Sequence, residues 1–176
     1  GSFASLLGRA VLHPGMLIYL DAARSIGPST LAAQRRDAGL NENLAREVFE
    51  LHTMVVGSGY TQADIVEFAK ALTGWTVSGP QTARLAAAGR GQRARAQAQD
   101  LAAEPGTIIF VEPLHEPGAR TVLGKRYGDN GQQQAAAILD ELALHPSTAR
   151  HVATKLARHF VADHPPASSV AKLESA

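Results

Sequence analysis

The stretch Asn41–Trp75, NENLAREVFELHTMVVGSGYTQADIVEFAKALTGW, constrains the fold more than any other part of the chain. Asn41 is a residue type that caps helix N-termini, and Glu42 follows where a carboxylate suits the helix dipole. At about 100° per residue, Leu44, Val48, Leu51 and Val55 share one apolar face. Asn43, Arg46, Glu47 and Glu50 gather on another, with Arg46 and Glu50 spaced as an i,i+4 pair. Gly57-Ser58-Gly59 supplies the positive φ that a reversal needs, so the helix ends before it. Thr61-Gln62-Ala63-Asp64 reads as a capping box in which Asp64 replaces the usual Glu or Gln. Ile65, Phe68, Ala69 and Leu72 form the stripe of a second helix, which Gly74 ends. Two amphipathic helices on a short glycine-rich link pack as an antiparallel pair, with Trp75 covering one end.

The rest of the chain adds helices and one hairpin. Leu6, Leu7, Ala10 and Val11 form the apolar side of a first helix capped by Ser5, and Gly1-Ser2 reads as an exogenous scar. His13-Pro14 breaks that helix and starts another carrying Met16, Leu17 and Leu20, with Asp21 at its end. His145-Pro146 repeats the device, predicting a second helix corner of the same kind. Residues 78–105 lack large apolar side chains and are locally basic, which reads as a mobile insert. Thr107–Glu112 is the best strand, with Ala119–Leu123 as its partner and a turn-rich loop carrying His115 and Glu116 between them. Residues 124–131 read as a loop. A helix then spans about Gln132–Leu144, and a long one runs from Pro146 to Ala162. The long helix is expected to bury Ala149, Val152, Ala153, Leu156 and Phe160. Arg150, His151, Lys155, Arg158 and His159 form a basic arc opposite. The sum is a mainly α fold of orthogonally and antiparallel-packed helices with one small β-hairpin, forming a single domain over residues 3–176.

Composition narrows the function classes. A formal charge of +1 argues against nucleic acid as an obligate partner. No apolar run approaches the roughly 18 residues of a membrane span. The absence of Cys excludes disulfides and thiol chemistry without fixing a compartment. No nucleophile elbow, Walker loop, His-Glu-x-x-His or Cys/His metal spacing occurs. Two carboxylates three residues apart, Glu47 and Glu50, are what a metal site or an acid/base pair uses. His52 lies about 160° from Glu50 on a straight helix and does not extend that pair.

The segments Asn41–Glu47, Glu50-Leu51-His52-Thr53, Gly59–Asp64 and Ala71–Trp75 resemble the bacterial domain-of-unknown-function family 1800. Leu114–Gly118 resembles its His-Asp-x-Gly segment, with Glu116 in the Asp position and Arg120 where Lys is frequent. His145-Pro146, Ala149-Arg150, Lys155–Phe160, Asp163 and Pro165-Pro166 are similar to its C-terminal helix. The resemblance runs from about Leu12 to the end, outside the insert. It implies a mainly helical bacterial protein of unknown activity whose relatives extend further at the N-terminus, so that the chain is a fragment of a longer family domain. A signal peptide would lie outside this sequence.

Two functions compete for the same residues. In one, Glu47, Glu50 and His115 are catalytic and Asn43, Arg46, His52, Asp64, Glu116 and His159 bind, forming a hydrolase-like site that takes a divalent metal or works by acid/base chemistry. In the other, these polar residues form a buried network that fixes helix packing, and the protein is a structural or interaction module. Its partner is then another protein or the N-terminal region of a longer chain. A weaker third reading assigns anion binding to the Arg-rich insert and the basic arc. An open pocket with unpaired carboxylates at Glu47 and Glu50 separates the first reading from the second.

Overall fold

The computed structural model describes residues 1–34, 39–80, 82 and 105–175. Helix α1 (Phe3–Val11) is capped by the Ser2 hydroxyl, which accepts the Ser5 N–H at 3.2 Å, so the residue read as exogenous belongs to the helix. Helices α2 (Pro14–Tyr19) and α3 (Leu31–Gln34) follow, with a 3-10 turn at Ala22–Arg24 between them. Helix α4 (Asn43–Glu47) runs directly into a π-turn over Val48–His52. Helix α5 (Gln62–Leu72) leads to strand β1 (Trp75–Val77). Beyond the insert lie β2 (Ile108–Phe110), β3 (Arg120–Val122) and β4 (Lys125–Tyr127). Helices α6 (Gln132–Leu144), α7 (Pro146–Phe160) and α8 (Ala167–Glu174) complete the chain. The predicted insert falls mostly on residues 81 and 83–104, outside the described residues.

The core forms where α5 packs on α4, α6 and β3, and α1 packs on α6. Phe49 sits at its centre, fully buried, with Tyr60 at 4.9 Å and Phe68 edge-on at 5.9 Å between ring centroids. The straight-helix phase predicted for α4 fails at this point. The Met54 N–H donates to the Phe49 carbonyl at 2.9 Å, one residue wider than an α-turn, and the Thr53 hydroxyl donates to Val48 O at 2.7 Å. The added residue turns Phe49 and Met54 inward and leaves Leu51 half exposed, where a 3.6 period had put Leu51 inside. Val55 follows with φ 79°, a left-handed value that a β-branched residue rarely adopts.

Strand pairing also departs from the sequence reading. Thr107–Glu112 does not pair with Ala119–Leu123. Strand β2 pairs antiparallel with β1, Trp75 opposite Phe110, and the two rings meet edge-on at 5.4 Å. Strand β3 pairs with β4, which the sequence reading took for a loop. The connection is the two-residue turn Leu123-Gly124, with φ 51° and 75°, the doubly positive geometry of a type I′ hairpin. Leucine is unusual there. The Asp64 carboxylate accepts the Leu123 N–H at 2.7 Å and holds the turn.

The two His-Pro corners do match. His13 and His145 have nearly the same backbone angles, and each ring Nδ1 accepts the N–H two residues on, from Gly15 at 3.1 Å and Ser147 at 3.2 Å. On α7, however, the buried residues are Thr148, Ala153 and Ala157, whereas Leu156 and Phe160 stand 43% and 77% exposed.

Candidate functional site

The predicted site residues divide among four places. Arg46 lies between Glu42 at 3.1 Å and Glu50 at 3.6 Å, and its guanidinium also donates to Gln62 at 3.0 Å. Gln62 in turn donates to Glu42 at 2.6 Å, so this cluster ties α4 to the start of α5. Burial, then the neighbouring Glu50, pushes the Tyr60 phenol above its ordinary pKa. Asn43 is exposed on the first turn of α4, its N–H held by the Asn41 side chain at 2.8 Å.

Asp64 completes the predicted capping box. Its carboxylate accepts the Thr61 N–H and hydroxyl, both at 2.7 Å, besides the Leu123 N–H. Burial alone would raise its pKa; the hydrogen bonds from Thr61 and Leu123 outweigh burial and hold it below the usual value.

His115 and Glu116 occupy a third place, and they are buried rather than projected into solvent, each 6% exposed. Thr73, at the C-cap of α5, organises them. Its hydroxyl donates to Lys70 O at 2.6 Å and accepts the Glu116 N–H at 2.8 Å. Its carbonyl accepts the His115 Nδ1–H at 2.8 Å, and among the described residues the buried His115 Nε2 has no hydrogen-bond partner. The Glu116 carboxylate accepts the Ser29 N–H at 2.7 Å, and the Leu114 carbonyl accepts the Gly27 N–H at 2.9 Å. Arg120 donates to Glu116 O at 2.5 Å and Pro117 O at 2.8 Å, with Glu67 3.8 Å from its other terminal nitrogen. The backbones meet so closely that a Cβ on Gly27 would lie 2.5 Å from Glu116 N. Thr73, Gly27 and Arg120 were not among the predicted site residues. A Thr directly before the Gly that ends α5 is the one local signal for this knot.

His52 and His159 lie in a fourth place, along a trough between α1 and α7 of about 490 Å³. Phe3, Leu6, Leu7 and Val11 line one wall, and Val152 and Leu156 the other. The His151 Nε2 and Lys155 Nζ both donate to Leu51 O, at 3.2 and 3.1 Å, a carbonyl freed at the end of the π-turn. Burial lowers the His52 pKa, and Lys155 and His151 lower it further, against an opposing pull from Glu47.

Among the described residues, no hydrogen bond or ion pair joins Glu47 or Glu50 to His115 or Glu116. Nor, among them, do three His, Asp or Glu gather in a metal-binding group. The family model for "Protein of unknown function (DUF1800)" matches residues 1–176. The chain belongs to DUF1800. The DUF1800 match takes in the α1 residues and the insert, beyond the span where the sequence resemblance was read. No curated protein and no solved structure matches the chain. Among the described residues, no DUF1800 helix here is long and apolar enough to cross a membrane.

Proposed function

We propose that this chain is a non-catalytic binding module in which the Glu and His residues of the predicted site hold the fold. The observation that carries this reading is the commitment of the Glu116 carboxylate, on a residue only 6% exposed, to the part-buried Ser29 N–H. A buried carboxylate with a backbone donor is stabilising structure, and a reacting group needs access to substrate. His115 is equally enclosed, and its Nδ1–H is spent on Thr73 O. Glu50 shares Arg46 with Glu42, so one member of the Glu47–Glu50 pair read as catalytic serves the α4–α5 junction. Asp64 fixes both a helix start and a hairpin turn. The partner-binding surface in this reading is the face of α7, whose cations have no carboxylate partner among the described residues. The domain is one unit over residues 3–176.

The competing reading is a hydrolase-like domain with a divalent metal on Glu47 and Glu50. A thermal-shift titration with Mg²⁺, Ca²⁺, Mn²⁺ and Zn²⁺ separates the two, run on wild type, Glu47→Gln and Glu50→Gln. A metal bound only by the folded state raises apparent stability by roughly 2.7 kcal/mol at a hundredfold excess over its Kd. The module reading predicts no metal-specific rise. A rise with one metal, lost in the Gln variants, would establish the metal-dependent alternative.

A further inference from the structure

Helix α7 carries three adjacent side-chain rows at i,i+4 spacing, and their chemistry changes in steps around the helix. The first row is Arg150, Thr154 and Arg158; the second is His151, Lys155 and His159; the third is Val152 and Leu156. The second and third rows face the α1 trough. The first and second rows line a separate pocket of about 350 Å³, with Ser58 and Ser147 on its rim. The two cavities share His151 and Lys155, so the apolar trough opens on one side of this cationic pair and the arginine pocket on the other.

Every ionisable residue lining either cavity is a base: His52, His151, Lys155, His159, Arg150 and Arg158. Neither Arg150 nor Arg158 has an ion-pair partner among the described residues. Lys155 uses one N–H on Leu51 O, which leaves two donors. Leu6 and Leu156 meanwhile expose 64% and 43% of their surface. The trough volume falls within the roughly 300–1,000 Å³ of small-ligand pockets. The π-turn lines the trough through Leu51 and His52, the strained Val55 lines the arginine pocket, and such irregularities concentrate at functional positions.

We infer that this face binds a single-chain amphiphile with a phosphate monoester head, its alkyl chain in the α1–α7 trough and its phosphate among Arg150, Arg158 and Lys155. Charge complementarity selects the head: a phosphate monoester offers several terminal oxygens to cations converging from two helical rows, and guanidinium matches that geometry in bidentate fashion. Burial of apolar surface selects the tail. The inference rests on the module reading and gives its binding face a ligand.

The test is isothermal titration of the full chain with dodecyl phosphate below its micellar concentration. Saturable one-to-one binding is expected, weakening about fourfold for each CH₂ removed along a series down to butyl phosphate. Arg150→Ala combined with Arg158→Ala should weaken binding at least tenfold, as should Leu156→Glu. Leu6→Ser, at an exposed position on the opposite wall, probes the trough independently should Leu156→Glu melt early. Dodecyl maltoside, with a neutral head, should bind at least tenfold more weakly than dodecyl phosphate.

Three results would overturn the proposal. They are no binding of dodecyl phosphate, equal binding by all folded variants, and binding only to phosphatidylglycerol-containing vesicles, which would make the face a membrane-contact surface. An acidic protein that binds α7 while dodecyl phosphate does not would likewise replace it. The metal titration at Glu47 and Glu50 reads different residues with no lipid present, so failure of the module reading and failure of this site are separable.

Discussion

The knot around Glu116 and the open face of α7 are both rich in polar side chains, and they use them in opposite ways. In the knot, Glu116 answers the Ser29 N–H, His115 the Thr73 carbonyl and Arg120 two carbonyls of its own loop, while His115 Nε2 and Arg120 Nε stay buried without a partner among the described residues. On α7, Arg150 and Arg158 point their charges at a cavity and meet no acid among the described residues. Enclosed polar groups are stabilising only when paired, whereas exposed unpaired charges cost little and remain available to a partner. The contrast teaches that a cluster of acid and histidine residues is not a site until its hydrogen-bond partners are counted.

Substitutions at the knot should therefore cost stability, and the largest effect belongs to Gly27. Gly27→Ala places a Cβ 2.5 Å from Glu116 N and 2.6 Å from Glu116 Cα, both backbone atoms with little room to move. Overpacking of this kind costs about 3 kcal/mol, readable as a fall in the urea midpoint. A Gly27→Ala protein as stable as wild type would mean that the knot yields easily and would remove half of the comparison.

Asp64 should come next. Asp64→Ala removes the reciprocal half of the α5 capping box, the acceptor for the Thr61 N–H, together with the acceptor for Leu123, for a loss of about 1–2 kcal/mol. Because the folded carboxyl titrates below its unfolded value, its stabilising contribution is present above the unfolded pKa and is lost as pH falls through the folded one. The Asp64→Ala penalty should accordingly shrink in acid, and a penalty that stays constant from neutral pH to pH 2 would contradict the assignment.

The smallest effect probes the boundary between the two regions. Glu47 opposes the burial that lowers the His52 pKa, so Glu47→Gln should lower it further. Removing a cation by Lys155→Met should raise it, by the same logic with the opposite sign. Proton NMR titration of the His52 ring reads both shifts. Since the folded pKa lies below the unfolded one, stability falls as pH drops from the unfolded pKa toward the folded one, and the Glu47→Gln protein, with a still lower folded pKa, should lose more stability over a window that reaches further into acid. A His52 pKa indifferent to both changes would separate it from the α7 cations.

The sequence made the helices legible because their signals are local. Thr61 and Asp64 sit three residues apart, and the capping box formed as read. The two His-Pro corners needed only adjacent residues. Signals that depend on distant partners were not legible. The phase of α4 slipped because Phe49 is claimed by Tyr60 and Phe68, and a π-turn accommodates it, so Leu51 moved outward. Strand β2 found its partner in β1 across the insert, and pairing over that separation leaves no mark in local periodicity. The β3–β4 turn was hidden because Leu123 stands where Asn or Asp is usual, and Asp64 supplies the support from another element. His115 and Glu116 were read as an exposed loop pair because nothing nearby shows that Gly27 and Ser29 close over them.

The central claim is that the knot holds the fold and the α7 face does not. Urea unfolding of Glu116→Ala beside the Arg150→Ala, Arg158→Ala double variant tests it most directly. The account predicts a loss of about 1.5–3 kcal/mol for Glu116→Ala, from the charge-assisted hydrogen bond that the enclosed carboxylate makes to the part-buried Ser29 N–H. It predicts a change within about 0.5 kcal/mol for the arginine pair, whose side chains are exposed and have no ion-pair partner among the described residues. A tolerant Glu116→Ala together with a strongly destabilised arginine variant would contradict the account and make α7, not the Glu116 knot, the framework of the fold.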